Sequence, residues 1–425
     1  MKKIKFCSSE KLPFYSMCLV AFTLPLSMKI NTIAIIFAVL INLVQIFRER
    51  KFNVFIPRKT HMLFVGYYFL IIASLIYTQN LGEGIKKLEY NSSFLIMPIV
   101  FYKLRDLNKD QLRQILKVFV LSMILTSIFL LITAFIRYVP EKNLDVFFYK
   151  SLTSPLEFHP VYYSIYITFS IIILMFGLNY VNVKRYIIII VFLMSILILL
   201  SSKSIITACI VFLGVFLFRQ KKAGRMLLFG IILSIFLLIF NHGYLKDRFE
   251  EISEIENLSI LKENSMTDFG KVNGLTLRLM IIKFSVMESL DDPFSFIFGQ
   301  GYGDKQFFLD TVYEKHNMAR TTNGNKIGYY GYNAHNQYIE TFVSAGIIGL
   351  IYLFFLILSL IKITKTSKIA FCFYCLFIWS FFFESVITVN KGIVLFVFWS
   401  VIFINNEIDE DWYNFDLANG MILKN

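Results

Sequence analysis

The chain has 425 residues, 57% hydrophobic and only 17% charged, with a net charge of +13 and a mean hydropathy of +0.64. A soluble domain carries roughly a quarter charged residues, and an apolar surplus that includes 47 Phe exceeds what one globular core can bury. A bilayer must therefore be the solvent, which excludes an ordinary soluble enzyme.

Taken in chain order, Met1-Lys2-Lys3-Ile4-Lys5 runs into an apolar span with no small-residue cleavage site, so no cleavable signal peptide is expected. Apolar runs and their breakers predict twelve spans, at about 12–28, 30–47, 61–78, 90–103, 114–136, 161–179, 186–201, 204–218, 226–241, 337–361, 369–386 and 391–405. The segment 90–103 holds Asn91, Ser92, Ser93 and Pro98 and reads as a broken or re-entrant piece. Such a piece is allowed only where protein covers its backbone.

Lysines and arginines sort onto one side of this alternation: Lys2 to Lys11, Arg48 to Lys59, Lys103 to Arg113, Lys184 and Arg185, Arg219 to Arg225, and Lys362 to Lys368. By the positive-inside rule that side is cytoplasmic and carries both termini. The 94 residues His242–His335 then face outward; they hold 10 Lys+Arg against 13 Asp+Glu. The basicity is a topology signal and not a nucleic-acid footprint. Gln79–Glu89, Arg137–Pro160, Ser201–Lys203 and Thr388–Lys391 fall on the same outer face as connecting segments. The expected fold is an all-α polytopic membrane protein of about twelve helices, with a large, mostly helical extracytoplasmic loop between the ninth and tenth. Its divisions are 1–241 for nine spans, 242–336 for the loop, 337–405 for three spans, and 406–425 for an acidic cytoplasmic tail. None of the five cysteines lies in the loop, and Cys372-x-x-Cys375 lacks the further ligands a zinc site needs, so both read as helix packing.

The polar residues able to do chemistry gather on the outer face. Lys203, in Ser201-Ser202-Lys203-Ser204, is either a snorkelling helix-end lysine or a cation presented with hydroxyls to a phosphate; its position against the charge bias favours the second. Arg278 stands beside an apolar stripe of Leu277, Met280, Ile281, Phe284 and Met287 at helical spacing. It reads as a surface arginine or as a bidentate fork for a diphosphate. Arg248 and Lys283 are further cations. Phe298-Gly299-Gln300-Gly301-Tyr302-Gly303-Asp304 permits close backbone approach but has the wrong spacing for a dinucleotide site, so a structural turn is expected. His335, before the helix start Asn336-Gln337-Tyr338-Ile339-Glu340, is a cap or a titratable base. His159 is a weaker imidazole of the same kind. Glu384, in the outer third of the eleventh predicted span, is costly enough to count as functional by default.

Ala334-His335-Asn336-Gln337-Tyr338-Ile339-Glu340 leading to Ala345-Gly346-Ile347-Ile348-Gly349-Leu350 resembles the His-Asn segment and glycine-bearing helix of the O-antigen ligase and polymerase superfamily of bacterial membrane glycosyltransferases. Leu277-Arg278 through Pro293 to Gly299-Gln300-Gly301, Ser202-Lys203 between two spans, and Glu384-Ser385 before Gly392 are similar to that family too. Lys203 stands where the family usually has Arg, which keeps the charge and loses the fork; Phe284 stands where Trp is usual.

The resemblance implies an inverting, metal-independent transfer of a glycan from undecaprenyl diphosphate to an acceptor hydroxyl, a lipid A-core sugar in ligases and a lipid-linked repeat in polymerases. No cofactor is implied. His335, Arg278 and Glu384 would be catalytic; Lys203, Arg278 and Arg248 would hold the diphosphate, with His159 and Asn336 nearby. The location implied is the inner membrane, with a periplasmic active face. A polymerase or a protein O-glycan ligase is the alternative. A lipid-linked glycan transporter is the reading from another class, against which stand the absence of repeated halves and the one-sided polar cluster.

Overall fold

The computed structural model describes residues 11–49, 59–101, 107–176, 183–218, 262, 264–266, 272–322 and 325–405. The predicted span 226–241, Arg248 and the acidic tail lie outside them. Helices dominate the described residues. Three are long and apolar enough to cross a membrane: Met28–Arg48, Lys109–Glu141 and Gln337–Ile363. A fourth is added if Tyr149–Leu156 and Pro160–Phe176, bent by 81°, count as one span. The remaining apolar helices, including Leu12–Thr23, Lys203–Val215, Lys368–Phe381 and Asn390–Asn405, are shorter. Twelve full-length spans are therefore more than these helices supply by length alone.

Two helices form the centre. Every residue of Tyr162–Phe176 and of Lys391–Asn405 is buried, as an all-round apolar helix requires. In lipid there is little hydrophobic drive between helices, so tight packing and buried hydrogen bonds must hold them. Trp399 accordingly meets Phe119 at 5.4 Å and Phe169 at 5.2 Å. Tyr163 Oη lies 2.9 Å from Thr126 Oγ1, and Tyr166 donates to the Lys391 carbonyl at 2.8 Å. Outer helices instead leave an apolar stripe uncovered. Leu121, Leu125, Ile128, Phe129, Ile132 and Ile136 are exposed at helical spacing on Lys109–Glu141, a face built for acyl chains.

Several segments depart from the sequence reading. Gln79–Glu89, expected as a connection, contains most of the helix Leu81–Asn91, whose N-cap Asn80 accepts from Glu83 N at 3.2 Å. The chain breaks at Ser92 and continues as Ser93–Val100. At ~1.5 Å per residue this piece spans only about 12 Å, too little to cross. Arg137 continues the long helix Lys109–Glu141 and donates to the Ser151 carbonyl at 2.7 Å, tying down the short helices of 144–156. Lys391 is not in a connection: it is buried in the first turn of Asn390–Asn405, and its ammonium donates to the carbonyls of Leu24 (3.1 Å) and Leu26. The negative end of Leu12–Thr23 suits that charge.

The segment expected as the outer loop is mostly but not wholly helical among its described residues. Gly274–Leu290, Pro293–Phe298 and Lys305–Lys315 are followed by an antiparallel hairpin, Ala319–Thr322 with Asn325–Gly328, in the register Ala319↔Gly328. Thr321, Thr322 and Ile327 favour strand, and the sequence between the strands is Asn323-Gly324, a hairpin signal. A second core binds these pieces through Met280, Ile281, Phe284, Leu309, Tyr313 and Val343. Phe284 stacks on His316 at 4.0 Å and 6°.

The glycine turn is structural. Gln337–Ile363 kinks at Ala345 and Gly346, the latter at φ +63°. The carbonyls of Val343 and Ser344 accept from Gln300 N (2.8 Å) and Gly301 N (3.0 Å). A broken helix at membrane depth needs such protein partners for its backbone. A Cβ at Gly346 would run into the Ile297 carbonyl oxygen. Asp304 then accepts from Gln79 N at 2.6 Å and Asn80 N at 2.8 Å, anchoring the turn to the other half of the bundle.

Candidate active site

The segment Phe382–Ile387 organises the site. Lys368–Phe381 ends well before residue 386, so Glu384 lies in a non-helical connection and not inside a span. Three of its carbonyls and one of its N–H groups are taken by distant side chains. Asn336 Nδ2 donates to the Phe382 carbonyl at 3.1 Å, and Arg278 Nε to the Phe383 carbonyl at 3.1 Å. Tyr162 Oη donates to the Ser385 carbonyl at 3.3 Å. Ile387 N donates to Gln337 Oε1 at 2.8 Å. A continued helix would claim these same backbone groups.

Glu384 is buried, and its Oε1 lies 3.2 Å from His335 Nδ1. His335 holds φ +46°, a left-handed conformation costly for a side-chain-bearing residue. Asn333 Oδ1 fixes it by accepting from His335 N at 3.0 Å. Asn336 then caps the following helix, accepting from Tyr338 N and Ile339 N. His335 is thus presented on a rigid capped turn at the mouth of a helix.

Lys203 and Arg278 line one cavity of about 270 Å³ with Tyr149, Ser201, Ser202, Asn273, Trp379 and Phe383. Arg278 is held there by Phe383 and by the Gly274 carbonyl, at 2.8 Å from Nη1. Ser201, at φ +52°, turns the chain into the helix that begins at Lys203, and Trp379 donates to the Ser204 carbonyl. Ser202 Oγ is buried with no hydrogen-bond partner among the described residues. Phe383, which lines the cavity, is the sequence neighbour of Glu384, and the Arg278 charge acts on that carboxylate, although neither Glu384 nor His335 lines the cavity itself.

His159 is drawn into the same neighbourhood. Burial pushes its imidazole below the ordinary range, while Glu384 pulls the other way; Lys150, His335 and Arg278 add to the lowering. Glu384 in turn feels His335, His159 and Arg278. Lys203, Arg278, His335, Glu384 and His159 are thus assembled on one side of the molecule, Asn336 serves as a cap, and Lys283 sits over the Phe284 ring at 5.3 Å.

The sequence reading passed over the group beneath the dyad. Glu340, buried, accepts from Ala334 N (2.8 Å) and from Ser385 Oγ (3.3 Å), and pairs with the buried Lys305. Its signal was available, since a carboxylate near the start of an apolar helix carries the same expense as Glu384. Lys305 gave no such signal, because nothing local marks a loop lysine as the one that will be buried.

Residues 187–354, that is 168 of the 425, match the family model described as O-antigen ligase. Over this stretch the chain is similar to the O-antigen ligase superfamily, in line with the motifs read from its sequence. No curated protein matches the chain. The matched stretch contains Lys203, Arg278, His335 and Glu340, and it stops short of Glu384. The match together with the apolar helices supports a membrane protein with an enzyme's role, and the matched family is one whose partners in general are lipid-linked glycans and their acceptors.

Proposed function

We propose that this protein is a ligase-type glycosyltransferase, moving a glycan from undecaprenyl diphosphate to an acceptor hydroxyl, foremost on a lipid A-core sugar, with inversion and without metal. The observation that carries this is a His–Glu dyad whose Glu384 directly follows Phe383, a lining residue of the cavity that holds Lys203 and Arg278.

The donor's diphosphate sits in the cavity, with Arg278 offering donors to its oxygens and Lys203 a point charge. Glu384 takes Nδ1–H of His335, which fixes the ring and leaves Nε2 for the acceptor. As the acceptor oxygen attacks the anomeric carbon from the face opposite the diphosphate, its proton passes to Nε2. The C1–O bond to phosphorus breaks with its electron pair on the diphosphate, where Arg278 and Lys203 stabilise the charge that develops. In this reading the site faces the periplasm from the inner membrane, and the termini are cytoplasmic.

The test is direct. Purified protein, an undecaprenyl-diphosphate oligosaccharide and lipid A-core are incubated with a chelator, and the product's linkage is read by NMR. Inverted transfer supports the reading. A product formed only on a second lipid-linked repeat makes the protein a polymerase, and no product, or one that needs metal, rejects the mechanism.

A further inference from the structure

Beside the dyad stands a large aromatic side chain that the mechanism does not use. The Tyr332 ring lies 5.7 Å from the His335 ring at 66°, nearly edge-on, and Tyr329 stands 5.4 Å behind it at 71°. Tyr332 is 43% exposed although its backbone is firmly held. Its carbonyl accepts from Tyr313 Oη (3.1 Å) and Gln306 Nε2 (3.2 Å), while Gly331 N donates to Asp310 Oδ1 (2.9 Å). The exposure is thus built and does not come from a loose loop. Gly328 and Gly331, at φ +98° and +74°, supply the left-handed steps that turn the chain out of the hairpin toward His335.

An exposed ring kept one residue-contact from a base has a chemical meaning when the substrate is a sugar. A pyranose presents a face of C–H bonds, and the negative face of an aromatic ring attracts them, so a fixed tyrosine offers a wide stacking surface at little entropic cost. We propose that Tyr332 is the stacking platform for a pyranose ring of the transferred or accepting glycan, which it holds beside His335. This rests on the glycan-transfer reading for its substrate class. Tyr332 would then be a substrate-binding residue, with Tyr329 setting its tilt and Gln306 and Asp310 fixing its backbone.

The experiment compares wild type with Tyr332→Ala, Tyr332→Phe and Tyr332→Trp, measuring kcat and KM separately for an undecaprenyl-diphosphate oligosaccharide and for lipid A-core. Tyr332→Ala is expected to raise one of the two KM values about tenfold, equivalent to ~1.4 kcal/mol, with kcat within about twofold. Phe and Trp should restore it, and the substrate whose KM moves names the stacked ring. Unchanged KM values for both substrates, or a fall in kcat alone, overturn the proposal. A binding arm stands apart from the transfer reaction: saturation-transfer NMR of the purified protein with chitotriose and maltotriose. Contact in wild type and Tyr332→Phe that disappears in Tyr332→Ala supports the platform even if no transfer is found. No contact in wild type, or equal contact in all variants, rejects it, and an interfacial tyrosine anchoring the loop to lipid then remains.

Discussion

His335 Nδ1 and Glu384 Oε1 stand 3.2 Å apart although 49 positions separate them in sequence. The carboxylate is buried and the imidazole partly open, at 5% and 24% side-chain exposure. A neutral imidazole with one nitrogen committed to a buried carboxylate has a fixed tautomer, and its other nitrogen becomes a directed base. Glu384→Gln keeps the shape and offers an amide that can hold the wrong tautomer. Transfer is expected to fall by about 10²–10⁴-fold, the usual worth of a positioned acid–base group. Adding His335→Ala to Glu384→Gln should cost little more, because residues acting as a unit are not additive. Initial rates of the two single variants and the double variant decide it; additive losses would separate the two residues.

Beneath the dyad, Glu340 holds both of its flanks at once, through Ala334 N before His335 and Ser385 Oγ after Glu384. Lys305 brings the countercharge from the start of the helix Lys305–Lys315. Removing one partner of a buried pair strands the other charge, typically at about 3–5 kcal/mol. Lys305→Met should therefore lower the detergent-solubilised protein's melting temperature and abolish transfer. Lys305→Met with Glu340→Leu should recover much of the stability while activity stays lost, since the anchors for Ala334 and Ser385 are gone. Recovery of both, seen by thermal unfolding and transfer assay, would mean the carboxylate positions nothing.

How far the sequence carried the fold and site follows from which signals are local. Apolar runs, Asn336 before a helix, and the stripe from Leu277 to Met287 are local, and among the described residues helices lie where most of them indicate, the broken 90–103 apart. The end of the helix at Phe381 is not: Phe382 and Phe383 look like more span, and only Asn336 and Arg278, distant in the chain, take their carbonyls. Likewise the helix Leu81–Asn91 hid because its charged face reads as loop. Lys203 and Arg278 were singled out by residue type, yet that they share a cavity is a tertiary fact.

The loop core carries its own pH dependence. Partial burial pushes Glu288 up, but hydrogen bonds from Lys315 (2.6 Å) and His316 (2.8 Å) outweigh it and hold the carboxyl below its ordinary 4.5. With the folded value below the unfolded one, the unfolded state binds the proton first. The stabilisation is therefore complete above pH 4.5 and fades as pH falls through the folded value. His316 also meets the Asn264 carbonyl at 2.7 Å. Both its nitrogens thus face oxygens, which ties 264–266 to the helix Gly274–Leu290. Melting temperatures of wild type should drop more steeply than those of Glu288→Gln below pH 4.5; parallel curves would remove Glu288 from the account.

Two glycines at positive φ separate conformational strain from steric conflict. Gly331 sits at φ +74° with open space where a Cβ would go, whereas Gly346, at φ +63°, faces the Ile297 carbonyl. Gly331→Ala should cost only the left-handed penalty, roughly 1–2 kcal/mol. Gly346→Ala adds a clash that neither backbone can relieve without breaking the hydrogen bonds from Gln300 and Gly301 to the kinked helix. Those bonds seat the loop on the membrane helices, so this variant should free the loop: limited proteolysis is expected to cut near 299–304 in Gly346→Ala and to spare Gly331→Ala. Equal protection in both would show that the kink is held by something other than the Gly299–Gly301 turn.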